Sequence, residues 1–259
     1  MNNESLKSSV WVAQLIFIQR SIRHSIRNTD AMIMAIALPI LLMLLFTYVF
    51  GGAIDPSGNY VTYVVPGTIL LCAGFGSSSV AVDVAQDMTN GIIDRFRTMS
   101  VRSLDVINGH VVASVLRNLL ATTLVIGVAL LIGFRTEASF LQWLGAIGII
   151  TLFIFTFTWL FAAIGMMASG PSAAGGYGFV LLFLPYLSSA FVPTNTMPGW
   201  LRGIADHQPI TPITETIRSL LNDSPLHTNG WWSLGWCGGL LLVAFVLSAW
   251  SFQRKSGRR

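Results

Sequence analysis

Charged residues are scarce in this sequence. Only 10% of its 259 residues are charged and 53% are hydrophobic, whereas a typical soluble domain is about 25% charged. Such a chain cannot cover a globular surface with polar groups. Long stretches have no charge at all, at 31–54, 56–82, 118–134, 138–201 and 224–253. A transmembrane helix needs about 20 mostly apolar residues. The sequence therefore predicts an all-α integral membrane protein.

Lysine and cysteine are scarce as well. Neither Lys7 nor Lys255 stands in a G-x-x-x-x-G-K-[ST] phosphate loop, so the chain is not expected to bind ATP in that way. The two cysteines, Cys72 and Cys237, fall within apolar stretches. They suggest neither a disulfide framework nor a metal site.

Six transmembrane spans fit the apolar stretches best. The run 138–201 is too long for one helix and is divided at "SGPSAAGG", where Pro171 is suited to begin a new helix. The predicted spans are 31–52, 60–82, 109–133, 141–167, 172–192 and 231–252.

The lysines and arginines predict the orientation of these spans. With the N-terminus in the cytoplasm, eleven of them fall in cytoplasmic segments and three in outer segments. This excess follows the positive-inside rule and puts both termini in the cytoplasm. Because the cations are spread along the chain rather than clustered on one soluble face, nucleic acid is not an expected partner, whereas anionic lipid is.

Catalytic motifs are absent too. The sequence contains no H-E-x-x-H, C-x-x-C or G-x-S-x-G, and the central thirds of the predicted spans hold no acid. An embedded enzyme or a self-powered secondary transporter needs polar groups at membrane depth. No catalytic residue, metal or cofactor is therefore predicted in this chain, and transport would need an external motor.

Two amphipathic segments flank the first spans. "GIIDRFRTMSVR", at 91–102, lies between spans two and three and places Ile92, Phe96 and Met99 on one helical face. Residues 10–27 have an apolar face beginning at Trp11, with basic residues opposite at Arg20, Arg23 and Arg27. Each segment is either a helix lying on the lipid surface or a contact for a cytoplasmic partner.

Ionisable residues near the inner ends of the spans form another candidate site. Arg117 lies inside span three, and Asp83 follows span two. Arg117 either extends to the inner headgroups or pairs with an acid on another helix, Asp83 being the nearest candidate.

Two short amphipathic helices are predicted between spans five and six, at 198–205 and 211–221. Thr211 is suited to cap the second helix, with Pro212 as its first residue. Glu215 and Arg218 are spaced to pair across one turn.

The order of residues resembles the membrane subunit of ABC type-2 exporters, most closely the daunorubicin/doxorubicin-resistance permease subgroup. The resemblance covers nearly the whole chain. The segments that carry it are "NGIIDRFRTMSVR" (90–102), "FLPYLSSAFVPTNTMPGWLRGIADHQPITPITETIRSLL" (183–221) and the pair Trp236–Cys237.

The resemblance implies a permease in a bacterial plasma membrane that pairs with a second copy and binds a cytoplasmic ATPase, which would hold ATP and Mg²⁺. Region 86–103 resembles the family's coupling helix, and residues 10–27 resemble its interface helix. Region 193–230 resembles the outer re-entrant helices that close the outward gate. The implied coupling residues are Gly91, Ile92, Asp94, Arg95, Phe96 and Arg97. The implied gate residues are Pro198, Trp200, Pro209, Pro212, Glu215 and Arg218.

The expected activity is export of a small amphipathic or apolar compound, as in drug resistance. A lipid or polysaccharide exporter of the same superfamily is the alternative within transport. An embedded enzyme and a non-transporting sensor or immunity subunit are the alternatives from other classes.

Overall fold

The computed structural model describes residues 29–56, 58–90 and 103–256, and this part of the chain is helical with no β-strand. The predicted interface helix at 10–27 lies outside the described residues. So does segment 91–102, which is most of the predicted coupling region 86–103 and which we call the coupling segment. In chain order the helices are α1 (Thr29–Leu45), α2 (Gly51–Ile54), α3 (Tyr60–Thr89), α4 (Ser103–Leu131), α5 (Phe140–Met167), α6 (Pro171–Leu181), α7 (Gly199–His207), α8 (Ile210–Leu221) and α9 (Asn229–Ser256).

Three shorter helical turns complete the described chain. A π-helical turn at Phe46–Phe50 joins α1 to α2, and 3₁₀ turns lie at Leu184–Leu187 and Thr194–Thr196. Within the described residues, five helical stretches are long and apolar enough to cross a membrane: Ala35–Ile54, Tyr60–Thr89, Ile107–Leu131, Phe140–Met167 and Asn229–Ser251. They coincide with the predicted spans one, two, three, four and six.

The second predicted span is extended at its C-terminal end. It was expected to end at Val82, but α3 continues to Thr89. No glycine or proline interrupts residues 77–89, so nothing in the sequence ends the helix there. Asp83 and Asp87 are consequently part of one continuous helix that reaches the coupling segment.

The fifth predicted span, 172–192, is not one helix. Helix α6 begins at Pro171, as predicted, but ends at Leu181, and the 3₁₀ turn at Leu184–Leu187 follows it. Pro185 lies in that turn. Because proline has no N–H to donate and restricts the residue before it, the α-helix cannot continue through this position.

The start of α8 also differs from the prediction. The helix begins at Ile210 with Pro209 as its N-cap residue, rather than at Pro212 with Thr211 as the cap. The Thr211 hydroxyl is engaged elsewhere: it accepts a bond from the Ser189 N–H and donates to the Ala205 carbonyl. Tertiary contacts thus replace the capping bond that the local sequence suggested.

Helix α3 is the centre of the fold. It packs against α1, α4, α5, α6 and α8, and apolar side chains such as Val64, Ile69 and Leu70 are fully buried on it. The outer surfaces of the other long helices expose large apolar residues, among them Leu120 on α4 and Val246 on α9. Apolar residues both inside and outside are the pattern of helices whose solvent is lipid.

Candidate functional site

The residues predicted to couple the chain to a motor lie between α3 and α4. Gly91, Ile92, Asp94, Arg95, Phe96 and Arg97 are outside the described residues, as are Trp11, Arg20, Arg23 and Arg27 of the interface helix. Helix α3 ends just before the coupling segment and α4 begins just after it. The structure describes the contacts between these two helices.

Asn118 on α4 anchors that helix to α3. Its side-chain amide donates to the Ala73 carbonyl at 3.2 Å and to the Ser77 hydroxyl at 3.0 Å, and Asn118 is fully buried. The opposite residue is Gly76. A Cβ atom there would lie 1.7 Å from Asn118 Oδ1, so only glycine allows this close approach.

Helix α5 joins the same cluster through Thr158. Its hydroxyl lies 3.2 Å from the Ser77 hydroxyl, and both residues are buried. Ser77 therefore bonds side chains from two neighbouring helices. We call Gly76, Ser77, Asn118 and Thr158 the central polar cluster.

Arg117 on α4 forms hydrogen bonds with α3. Its guanidinium donates to the Ser79 hydroxyl at 2.6 Å and to the Gly76 carbonyl at 3.3 Å. A direct pair between Asp83 and Arg117 stays a prediction. Each bond provides an acceptor for the guanidinium cation, which would be costly to place within a membrane without partners.

Asp87 and His110 join α3 to α4 nearest the coupling segment. His110 Nε2 and Asp87 Oδ2 are 2.9 Å apart, and both side chains are largely buried. The two helices are thus tied at three levels: at Asp87, at Arg117 and at Asn118. Interhelical hydrogen bonds in membranes contribute about 0.6 kcal/mol each on average, so several together favour movement of α3 and α4 as one unit.

A second set of contacts surrounds the opposite end of α3. The non-helical segment 188–192 lies against this end, and a Cβ atom on Gly67 would be 2.4 Å from the Ala190 carbonyl oxygen. The Tyr60 hydroxyl donates to the Phe191 carbonyl at 2.6 Å, and the Tyr63 hydroxyl donates to the Ser189 carbonyl at 2.8 Å. Backbone that leaves the helix inside a membrane protein must find such partners within the protein.

Arg218 on α8 completes this second set. Its guanidinium donates to the Tyr63 carbonyl at 3.0 Å and to the Ser189 carbonyl at 2.9 Å. It also lies over the Tyr63 ring, 3.8 Å from the ring centre. The predicted Glu215–Arg218 ion pair is present. An arginine can contact carbonyls, a carboxylate and a ring at once because its guanidinium is planar and has several donors.

The structure separates the other predicted gate residues into two groups. Pro209 and Pro212 are buried at the start of α8, whereas Pro198 and Trp200 are exposed at the start of α7. Of the six predicted gate residues, Glu215 and Arg218 are the two that the structure joins by an ion pair.

Several residues of these contacts were not predicted: Tyr60, Tyr63, Ser189, His110 and Asn118. Asn118 carried a usable signal, because a large uncharged polar side chain inside a span needs a partner on another helix. Tyr63 and Ser189 carried none. Their partner Arg218 is 155 and 29 positions away from them, and it bonds their backbone carbonyls, which every residue has.

The side-chain contacts among the described residues join α3 to its neighbouring helices. No cluster of three histidine, cysteine or acidic residues that could hold a metal ion occurs among them. Cys72 and Cys237 are both buried. The described contacts join α3 to its neighbours near both of its ends and at its middle, and segment 91–102 follows its C-terminal end.

Comparison with known proteins identifies relatives of the chain. The family model described as ABC-2 type transporter matches residues 14–222. The chain is 32% identical over 202 residues to the daunorubicin resistance ABC transporter permease protein DrrB1 of Streptomyces coeruleorubidus, an alignment that covers 77% of this chain and 70% of the relative. It is 25% identical over 252 residues to the probable doxorubicin resistance ABC transporter permease protein DrrC of Mycobacterium tuberculosis, covering 95% of this chain and 91% of the relative.

Proposed function

The chain belongs to the ABC-2 type transporter family, and from that premise we propose that it is the permease subunit of a bacterial exporter driven by a separate cytoplasmic ATPase. The family supplies the transport class and the multi-pass membrane location. The coupling residues, the partner and the substrate belong to the proposal.

The observation that carries the proposal is the position of α3. This helix has 30 residues, which at about 1.5 Å per residue makes a rod about 45 Å long. One end continues into the coupling segment, and the other end bonds α8 and segment 188–192. A displacement of the coupling segment would therefore reach the opposite side of the membrane through one helix.

The ATPase would engage the coupling segment. ATP binding would close the ATPase pair, and Ile92, Asp94 and Arg97 would pass that movement to α3 and α4. Phe96 is the expected anchor because a buried aromatic side chain contributes more to an interface than an exposed charge pair. The interface helix at 10–27 would contact the ATPase or the lipid surface beside it. ATP and Mg²⁺ would be bound by the partner, since the sequence has no phosphate loop.

We place six crossings in the membrane, with both termini in the cytoplasm. The fifth crossing would consist of α6, the turn at Leu184–Leu187 and segment 188–192. Helix α6 has 11 residues, so at about 1.5 Å per residue it is too short to cross the ~30 Å hydrocarbon core alone. The side chains that satisfy the Ser189 and Phe191 carbonyls support a non-helical continuation. Helices α7 and α8 would then be the outer re-entrant pair.

The substrate is proposed to be a small amphipathic compound that passes between two copies of the permease. The names of its relatives refer to daunorubicin and doxorubicin resistance, so these two drugs are the first compounds to try. Transport of a lipid-linked polymer instead would favour the lipid or polysaccharide alternative.

Copurification tests the proposal. The tagged protein is solubilised from membranes of the source cell in its intact form and as the double variant Asp94→Ala/Phe96→Ala. We expect an ATPase to copurify with the intact protein and to be lost from the variant. The matched control is Trp200→Ala/Asp206→Ala, which removes the same kinds of side chain from exposed positions on α7 and should keep the ATPase.

Two results would contradict the proposal. Recovery of no ATPase with the intact, folded protein would leave the coupling segment as a lipid-surface helix. Equal loss of the ATPase from both double variants would show that the segment is not a specific contact.

A further inference from the structure

We propose that Arg218 is a positioning residue that fastens the outer helices to the end of α3, so that α7 and α8 follow α3 when the coupling segment moves. Together with Tyr63 and Ser189 it forms what we call the outer clasp. The inference rests on the proposed function, because it assigns this clasp a place in an ATP-driven cycle.

The Ser189 carbonyl is the shared point of the clasp. It accepts one hydrogen bond from the Tyr63 hydroxyl at 2.8 Å and one from the Arg218 guanidinium at 2.9 Å. Tyr63 belongs to α3 and Arg218 to α8. The same backbone oxygen thus receives a donor from the helix that would be driven and a donor from the helix that would follow.

Arg218 also holds α3 directly. Two of its nitrogen atoms donate to the Tyr63 carbonyl, at 3.0 and 3.3 Å, while the guanidinium plane covers the Tyr63 ring. Tyr63 therefore contributes its backbone, its ring and its hydroxyl to one clasp. A lysine could not reproduce this arrangement, because its ammonium is a point charge without a planar fork.

The clasp lies beside a weak point of α3. Pro66 is inside this helix, and its missing N–H leaves the Thr62 carbonyl without its helical partner. Proline is a common cause of helix kinks. The first turn of α3 could therefore bend away from the rest of the helix unless other contacts bridge Pro66. Arg218 holds the Tyr63 and Ser189 carbonyls on one side of the proline, and Ala190, next to Ser189, lies against Gly67 on the other side.

Close packing supports the hydrogen bonds of the clasp. The Ala190 carbonyl lies against Gly67, at a distance that leaves no room for a Cβ atom. Thr211 at the start of α8 accepts the N–H of Ser189 at 3.2 Å. Segment 188–192 is thus held between α3 and α8, so that relative sliding of the two helices would break the clasp.

The α7 helix contains a natural contrast to the clasp. Arg202 and Asp206 form an ion pair of the same kind, 3.3 Å apart, but Arg202 is 53% exposed, whereas Arg218 is 11% exposed. The side-chain bond from Arg202 to Asp206 stays within α7. Replacing Arg202 therefore removes an arginine from α7 without removing a contact of the clasp.

The test uses the complex of permease and ATPase in lipid nanodiscs. Cys72 and Cys237 are replaced by alanine, and Ile204→Cys provides a reporter on the exposed face of α7. The rate at which a polar maleimide labels this cysteine is measured without nucleotide and with ATP plus vanadate. ATP hydrolysis is measured on the same samples. The variants are Arg218→Met, Arg218→Lys, Tyr63→Phe and the matched control Arg202→Met.

We expect the parent and Arg202→Met to show a nucleotide-dependent change in labelling rate. Arg218→Met and Arg218→Lys should lose that change while they keep ATPase binding and ATP hydrolysis. Tyr63→Phe, which keeps the ring and the carbonyl but lacks one donor, should show a reduced change. If Arg218→Met does not fold, Arg218→Lys and Tyr63→Phe decide the question.

Three outcomes overturn the clasp. In the first, the folded Arg218 variants keep the full nucleotide-dependent change. In the second, Arg202→Met loses it equally. In the third, the parent shows no change although it binds the ATPase and hydrolyses ATP. Failure to recover any ATPase is a different result, because it overturns the proposed function itself.

Discussion

A methyl group added at Gly76 should disrupt the central polar cluster, and removal of the Asn118 side chain should undo that damage. The Cβ atom of Gly76→Ala would lie 1.7 Å from Asn118 Oδ1 and 2.5 Å from its Cγ. Asn118 must therefore move, and it cannot move without weakening its bonds to Ala73 and Ser77.

The expected magnitude has two parts. Overpacking of a close helix contact costs about 1–3 kcal/mol, and two interhelical hydrogen bonds in a membrane contribute about 0.6 kcal/mol each. Gly76→Ala should therefore destabilise the protein by about 2–4 kcal/mol. Asn118→Ala alone should cost about 1 kcal/mol from the hydrogen bonds, with a further cost for the space it leaves.

The double variant tests the reasoning. In Gly76→Ala/Asn118→Ala the added methyl group enters the space that the amide has left, so its stability should match that of Asn118→Ala alone. Stability is measured by reversible unfolding of the purified protein in mixed detergent micelles, followed by tryptophan fluorescence. Gly127→Ala, on α4 with nothing within 4 Å of its Cβ position, is the matched control and should be neutral or slightly stabilising. A double variant that loses the sum of the two single losses would refute the close contact.

Three further stability predictions use the same unfolding measurement. Gly67→Ala should cost about 1–3 kcal/mol, and Ala190→Gly should not rescue it because the Cβ atom would meet the Ala190 backbone oxygen at 2.4 Å; a rescue would contradict that contact. His110→Leu leaves Asp87 without this partner in a largely buried position and should cost about 1–3 kcal/mol. Asp87→Asn should cost less, because the amide can still bond the imidazole. Equal losses would contradict the pair. Tyr60→Phe removes the donor to segment 188–192 and should cost about 1–3 kcal/mol; an unchanged unfolding midpoint would show that the bond contributes nothing.

The long helices could be predicted because their signal is local. Helix α5 was expected at 141–167 and lies at Phe140–Met167, since an uninterrupted apolar run between turn residues needs no tertiary information to be recognised. The pairing of Glu215 with Arg218 was also predicted, because residues three apart on a helix are neighbours whatever surrounds them.

Local signals failed where neighbouring elements compete for the same groups. Thr211 has the chemistry of a helix cap, yet its hydroxyl bonds Ser189 and Ala205 instead. The fifth span is predicted to continue through Pro185 because the composition of residues 172–192 is apolar throughout. Composition reports which solvent a segment prefers, but the missing N–H of Pro185 decides where the helix can end.

The sequence by itself determined that the chain is a helical membrane protein, where most of its long helices lie, and which segment between them is charged. These properties follow from hydropathy and from the positions of charges along the chain. Only the tertiary structure decided that Asn118 meets Gly76 and that Arg218 meets Tyr63 and Ser189. Those contacts depend on how closely two helix backbones approach and on which backbone carbonyls are left without helical partners. Neither property can be predicted from the residues on one side of the contact alone.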